Sequence, residues 1–468
     1  MQPQRTLRFV TVADSLINAS ELSSAHWGVE VLDPARNRSL YSYNSSRHFI
    51  PASNTKLVVA SVAMGLLGPE HRYRTEFMAT GAAGDSIPDR VIAIGSGDPT
   101  WSSRYYADPL TVLNQLADSI WNQGVRAIGS ELVIDASLFG PERVHSAWEV
   151  GDLPFTYATP TGAFAIGEGV IDLVATPAAR VGETATVQIV GPQTFPIRSN
   201  VRTDTAGSNA NLNIDYQSWP DTLVVSGRVG LNRADTSSYA APNAVRYAAE
   251  AFRDALQRKG IRVGSVRVVY DTLEAAALRQ TPLRLLTRFE SEPMHKIVAG
   301  IMQPSQNWIA DQLVRTLGAL HGGRGTWNRG IEVERRFLID VVRLDSTSFS
   351  LRDASGLSAQ NLLSPRATVL LLEYDRQARW GQLFRSAMPT PGLRGSTLSN
   401  RLPGLEGKVF AKTGTIANVA SLSGYVITRS GRELTFSIMV NASGRSSAQV
   451  RRGIDRLITA IAEERDWE

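Results

Sequence analysis

The two ends of this 468-residue chain read as complementary parts of one domain, and no other feature limits its fold as much. Near the start, Trp27–Leu32 and Ser39–Tyr43 flank the breaker-rich Asp33-Pro34-Ala35-Arg36-Asn37-Arg38, which predicts a β-hairpin. Pro51 and Ser53 then precede an apolar run, Leu57–Leu67, that predicts a buried helix ending at Gly68. At the far end, Lys408–Gly414, Ala420–Thr428 and Glu433–Val440 predict successive antiparallel strands, with Arg429-Ser430-Gly431-Arg432 as a turn. Ser447–Glu464 follows as an amphipathic helix with Ile454, Leu457, Ile458 and Ile461 on one stripe. The ends therefore predict one domain of strands and helices, split in sequence by an inserted module of about 200 residues.

The middle of the chain has a different texture. Arg90–Ile94 and Glu131–Ile134 predict short strands, and Asp108–Gln123 and Asn243–Lys259 predict helices. Asp172–Val229, rich in Thr, Val, Asn and Gly with alternating polarity, predicts an all-β segment. Helical patterning returns after Pro282, at Trp308–Leu317 and Ala367–Ala378. The expected domains are 1–79 with 280–468, an inserted α/β part at 80–171 with 236–279, and an all-β part at 172–235.

Composition removes several function classes. Cys is absent, so there is no disulfide, cysteine nucleophile or cysteine-ligated metal. The six histidines (His26, His48, His71, His145, His295, His321) are far apart, with no H-x-x-x-H pairing. No G-x-S-x-G elbow is present, and Gly95-Ser96-Gly97 lacks the continuation of a nucleotide loop. The formal charge is only +5 and the basic residues are scattered, which argues against nucleic acid. The longest apolar run, near Leu57–Gly68, is well short of the ~20 residues that span a bilayer. The first twenty residues contain Arg5, Arg8, Asp14 and Asn18 without a continuous apolar core, and do not read as a secretory signal. On this reading the chain is either cytoplasmic or starts near a mature terminus.

Lysine usage points to chemistry. Only five lysines occur (Lys56, Lys259, Lys296, Lys408, Lys412), and 44 of the 49 basic residues are arginine. Arginine supplies charge and hydrogen bonds but cannot give up its proton, whereas a desolvated amine can be neutral and accept one. Lys56 lies three residues after Ser53 at a predicted helix start, a spacing that places both on one face. The helix N-terminus favours an alkoxide at Ser53 and a later oxyanion. Ser305-Gln306-Asn307 precedes a second helix and offers a hydroxyl that can relay a proton and a carboxamide that can bind a substrate amide and orient Lys56. Lys412-Thr413-Gly414-Thr415 falls on a predicted edge-type strand. There the cation and hydroxyls can hold a carboxylate, the glycine admits a substrate backbone, and the Thr415 N–H can complete an oxyanion hole. Taken singly, each of these segments is also an ordinary helix cap or turn.

Together, in the order Ser-x-x-Lys, Ser-x-Asn, Lys-Thr-Gly, they resemble the serine–lysine arrangement of penicillin-binding proteins and serine β-lactamases. The finer resemblance is to the D-alanyl-D-alanine carboxypeptidase/endopeptidase family, the class C low-molecular-mass penicillin-binding proteins. It is borne by the long insert after the first motif and by Gly95-Ser96-Gly97-Asp98-Pro99, Val133-Ile134-Asp135-Ala136-Ser137 and Asp353-Ala354-Ser355-Gly356-Leu357-Ser358. The resemblance implies an α+β fold, with an antiparallel sheet flanked by helices and two inserted smaller domains. It implies Ser53 as the acylated nucleophile, Lys56 as its base, Ser305 as proton shuttle and Asn307 as amide ligand. Lys412 and Thr413 would hold the terminal carboxylate, with Thr415 assisting beside Gly414 and sharing the oxyanion hole with the Ser53 N–H. It also implies peptidoglycan stem peptides as substrate, β-lactams as covalent inhibitors, no cofactor and an extracytoplasmic location. Two positions depart from the family pattern: Ala359-Gln360 stand where many members have arginine, and Glu168 where asparagine is usual. The competing readings are a β-lactamase, disfavoured by the insert, and a non-catalytic penicillin-binding sensor, which would have no need of Lys56.

Overall fold

The hairpin and the closing strands meet in one sheet. The computed structural model describes residues 7–18, 21–215 and 222–465, so Arg5 of the leader reading and residues 216–221 of the expected all-β segment lie outside the described residues. Contacts divide the chain into two units: Met1–His71, Pro293–Gly322 and Trp327–Glu468 form one, and Arg72–Glu292 with Gly323–Thr326 forms the other.

The first unit contains a five-stranded antiparallel sheet in the order Val409–Ile416, Val419–Ile427, Glu433–Asn441, His26–Asp33, Arg38–Tyr43. The N-terminal hairpin joins the C-terminal strands through pairs such as Val29 with Ile438 and Val31 with Phe436, so the split in sequence closes in space. All four apolar residues of the predicted stripe on the last helix, Ser447–Glu463, are buried. Ser446 caps that helix in a reciprocal capping box with Gln449, which satisfies backbone donors at its first turn. The same apolar cluster takes in Phe9, Ala13, Leu16 and Ile17 from a helix at Arg8–Asn18, a helix the sequence reading had not assigned.

The second unit is built on a mixed five-stranded sheet, Arg262–Val269, Ala127–Asp135, Arg90–Ile94, Arg74–Thr80, Leu283–Glu290. The first three strands run parallel and the last two antiparallel to their neighbours. Because Arg74–Thr80 and Leu283–Glu290 pair inside this sheet, the unit boundaries fall at His71/Arg72 and Glu292/Pro293 rather than at 79/80 and 279/280. Short strands between Val170 and Ala240 form two smaller sheets. Their Leu173, Val187, Leu223 and Val225 share one apolar cluster with Phe77, Leu132 and Phe252 of the larger sheet and its helices.

Glu168 sits in a left-handed conformation (φ 58°) between Gly167 and Gly169, which are left-handed too. Asparagine tolerates such a conformation more readily than glutamate. Here Arg104 grips both carboxylate oxygens of Glu168 at 2.8 and 3.0 Å, and Ser102 donates at 3.2 Å, which compensates for the strained backbone.

Candidate active site

Three segments distant in sequence converge within the first unit. A single 3-10 turn, Ala52–Thr55, leads directly into the helix Lys56–Leu66. Every side chain of that helix from Lys56 to Met64 is buried, as expected of a helix that is apolar all round. Ser53 lies in the turn and Lys56 opens the helix, so their hydroxyl and amine face each other, with Nζ 2.8 Å from Oγ. Ala52, just before the nucleophile candidate, is held left-handed (φ 47°).

The neighbouring strands fix this turn. Ser421 and Ser423 project from one face of the strand Val419–Ile427. Ser421 Oγ donates to the Pro51 carbonyl at 2.7 Å, and Asn54 Nδ2 donates to Ser423 Oγ at 2.8 Å. Two glycines leave room for it. A Cβ on Gly414 would stand 2.6 Å from the Pro51 carbonyl oxygen and 3.0 Å from the Ser53 nitrogen. A Cβ on Gly356 would overlap the Ala52 carbonyl, and its φ of +77° is a second obstacle. The sequence reading gave Gly414 to the passage of substrate; the structure shows that the turn holding Ser53 already requires it. Gly356→Ala is therefore expected to cost about 2–4 kcal/mol in denaturant unfolding and to displace Ser53. A parent-like unfolding free energy would show that the turn can yield.

Lys56 is fully buried and makes three polar contacts through Nζ: Ser53 Oγ at 2.8 Å, Asn307 Oδ1 at 2.7 Å, and a short one to the Ser355 carbonyl. Two of these partners can only accept. A neutral amine has two N–H bonds and one lone pair. Donation to Asn307 Oδ1 and the Ser355 carbonyl consumes both N–H bonds, which leaves the lone pair facing the Ser53 hydroxyl. Burial lowers the Lys56 pKa to about 7, and the carboxylates of Asp311 and Asp353 oppose that fall without cancelling it. A substantial neutral fraction at physiological pH follows.

The second lysine is bound to one motif hydroxyl and one backbone carbonyl. Lys412, on the sheet's edge strand, is also fully buried and donates to Ser305 Oγ and to the Thr413 carbonyl, each at 2.8 Å. Burial, and then the Lys56 cation, hold its pKa well below that of an ordinary lysine. Thr413 Oγ1 donates to Thr397 Oγ1 at 2.8 Å, while Thr415 is exposed and its Oγ1 donates to the Gly414 carbonyl. Ser305 is left-handed (φ 65°) and does not cap the following helix, Asn307–His321; the Gln306 side chain does. The structure thus joins Ser53, Lys56 and Asn307 in one hydrogen-bonded group, and Lys412, Ser305 and Thr413 in another.

Sequence reasoning missed the residues behind Lys56. Asp353 is fully buried and ties a knot: its carboxylate accepts from Gly356 N (2.8 Å), Ser358 N (2.8 Å), Asn361 Nδ2 (2.7 Å) and Ser355 Oγ (3.3 Å). That knot presents the Ser355 carbonyl to Lys56. The Asp-x-Ser-Gly-x-Ser spacing was the signal available, an acidic side chain followed by backbone amides it can gather.

A domain with a five-stranded antiparallel sheet, a half-buried serine beside a buried lysine at the start of a helix and a lysine on the sheet's edge strand defines the penicillin-binding-protein class of serine peptidase folds. The solved structure of penicillin binding protein 4 (dacB) from Haemophilus influenzae shares this fold, with a TM-score of 0.81 at 22% identity over 97% of this chain and 99% of that one. Residues 10–461 match the D-Ala-D-Ala carboxypeptidase 3 (S13) family, and the chain belongs to it. It is similar to the D-alanyl-D-alanine carboxypeptidase of Actinomadura sp. (strain R39), 32% identical over 96% of this chain and 84% of that protein. It is also similar to D-alanyl-D-alanine carboxypeptidase DacB of Haemophilus influenzae, at 24% identity over 87% of this chain and 83% of that protein. The chain is thus a serine-type D-Ala-D-Ala carboxypeptidase acting on peptidoglycan.

Proposed function

We propose that Ser53 is the acylated nucleophile of this carboxypeptidase and Lys56 the base that activates it. The observation that supports this most is that buried Lys56 Nζ, 2.8 Å from Ser53 Oγ, also meets two acceptor-only oxygens, an arrangement that in the neutral amine turns the lone pair to the Ser53 hydroxyl. In this reading, the Ser53 proton passes to Lys56 Nζ as Oγ attacks the carbonyl between the two D-alanines. The backbone N–H groups of Ser53 and Thr415 receive the developing oxyanion. Lys412, Thr413 and Thr415 hold the terminal carboxylate on the edge strand, with Gly414 between them, and Asn307 orients the penultimate amide. Ser305, hydrogen-bonded to Lys412, relays to the departing D-alanine nitrogen the proton that Lys56 took from Ser53, which returns Lys56 to the neutral amine and leaves the Ser305 hydroxyl intact. Water then hydrolyses the acyl-enzyme. β-Lactams acylate the same serine, and the same chemistry serves cross-link cleavage. The substrate places the site of action outside the cytoplasmic membrane. Ala359 and Gln360 are exposed and put no guanidinium beside the Ser355–Ser358 turn, so a charged stem-peptide terminus needs another partner there.

The experiment is release of D-alanine from a diacyl peptide ending in D-Ala-D-Ala. A peptide ending in D-Ala-L-Ala serves as control, because stereospecific release is expected and release from both would sink the assignment. The pH dependence follows from the sign of the lysine shift. Only the neutral amine accepts a proton, and neutral Lys56 gains as pH rises through about 7. The β-lactam acylation rate constant should rise about tenfold per unit below that value and level off above it. A flat profile between pH 5 and 8, measured by stopped flow, would contradict it.

A further inference from the structure

We propose that Asp311 is a positioning residue for Lys56, the strut that holds both acceptors of its amine in place and supplies the counter-charge when the ammonium forms. The inference rests on Lys56 acting as the base.

The geometry is specific. Asn307 and Asp311 are one turn apart on the helix Asn307–His321, so they share a face. The first accepts from Lys56 Nζ at 2.7 Å. Asp311 Oδ1 accepts from Ala354 N at 3.2 Å and from Trp327 Nε1 at 3.0 Å. Ala354 directly precedes Ser355, whose carbonyl is the other acceptor of the amine. One carboxylate therefore locks the helix that presents Asn307 to the turn that presents Ser355. Trp327, at the start of the helix Trp327–Asp340, braces it from a third direction. A shift of Asp311 would move both acceptors at once and turn the lone pair of Lys56 away from Ser53.

The charge balance around it is tight. Asp311, Asp353 and Glu334 are all fully buried. Like charges at such spacing in a poor solvent cannot all ionise. Glu334, on the helix Trp327–Asp340, has no hydrogen-bond partner on either carboxylate oxygen among the described residues. Burial and then the charges of Asp311 and Asp353 hold it in the acid form. Asp353 spends its oxygens on the turn amides, Asn361 and Ser355. Arg315, one turn beyond Asp311, lies over the Trp327 ring at 4.5 Å, and Lys412 is a second buried amine whose pKa burial and then Lys56 push down. Of the three buried acids, Asp311 alone joins both acceptors of Lys56. When Ser53 transfers its proton, the ammonium forms in the field of Asp311 and Asp353, and the charge is lost again when the proton moves on to the leaving amine.

The test uses Asp311→Asn and Asp311→Ala in the full chain, with Lys56→Met beside them. Asp311→Asn retains an oxygen acceptor for Ala354 and Trp327 but no charge. Its melting temperature should fall by no more than about 5 °C. The acid limb of its acylation profile should move lower, by up to about 1 pH unit: burial and then Asp353 push the Asp311 pKa up to about 7, and to the extent that it is ionised there it raises the pKa of Lys56, an effect the amide lacks. Asp311→Ala also removes the strut, and acylation should slow about 100-fold at every pH. Glu334→Gln removes an acid already neutral, so its limb should stay at the parent position. That outcome is readable even where an Asp311 variant does not fold. An unmoved limb in Asp311→Asn, parent-like acylation in Asp311→Ala, or a moved limb in Glu334→Gln would each overturn the proposal. If Lys56→Met acylates normally, the base assignment itself fails. If it is inactive while both Asp311 variants behave as the parent, only the positioning role fails.

Discussion

Ser53→Ala is expected to lower D-alanine release by roughly 10⁴- to 10⁶-fold, the range seen when the nucleophile of a serine hydrolase is removed. The loss is large because, on the proposed mechanism, the hydroxyl forms the covalent bond. Lys56 is hydrogen-bonded to it, and Asn307 and the Ser355 carbonyl hold Lys56 in turn. Ser53 lies in a turn held by Ser421, Ser423 and the two glycines, none of which contacts its hydroxyl. The melting temperature should therefore stay within about 2 °C of the parent, since a partly exposed hydroxyl with Lys56 as its hydrogen-bond partner contributes little to stability. Residual turnover above a hundredth of the parent, in protein shown by mass to be free of misincorporated serine, would remove Ser53 from the role.

Lys56→Met is the second large effect. Methionine matches the length of the lysine stem and fills the same channel, but has no nitrogen to take a proton. Loss of a general base costs roughly 10²- to 10⁴-fold, and acylation by a β-lactam should fall toward the upper end. The upper end applies because, among the described residues, no histidine or second amine is hydrogen-bonded to Ser53 to stand in. Stability should move differently from activity. Burying the amine is unfavourable, as its lowered pKa shows, and methionine removes that cost. It also strips a donor from Asn307 and Ser355. The two effects oppose one another, so the expected change in unfolding free energy is within about 2 kcal/mol of zero. A variant that is folded, equally stable and almost unreactive would separate the chemical part of Lys56 from its structural part. One that acylates within tenfold of the parent would refute the base assignment.

Local pattern revealed the parts of the molecule that depend on local pattern. The hairpin at Asp33–Arg38, the three closing strands and the stripe on Ser447–Glu463 were legible because alternation and helical periodicity are written in neighbouring residues. The motif residues were legible because hydroxyl, amine and carboxamide side chains recur at spacings that a helix start or strand imposes. The helix Arg8–Asn18 was overlooked although Phe9, Ala13, Leu16 and Ile17 follow helical spacing, since that stretch had been weighed only as a leader. Of the layer beneath the lysine, only the Asp353-Ala354-Ser355-Gly356-Leu357-Ser358 segment stood out in the sequence, and its contact with Lys56 did not. Asp311 meets Ala354 across 43 residues, and Ser421 meets Pro51 across 370. No spacing rule links such positions, and an aspartate in a helix reads as a solvated side chain until the fold buries it. Gly356 and Gly414 belong to the same class: each is required by a turn that arrives from far along the chain.

The account stands on a covalent bond at one side chain. Intact-protein mass spectrometry after brief exposure to benzylpenicillin, followed by proteolysis and fragment mapping, tests it most directly. The expected result is a single adduct of one penicilloyl mass, confined to the peptide that contains Ser53, persisting for minutes or longer and absent when Ser53 is alanine. An unmodified protein, or an adduct mapped to Ser305 or any other residue, would contradict the account.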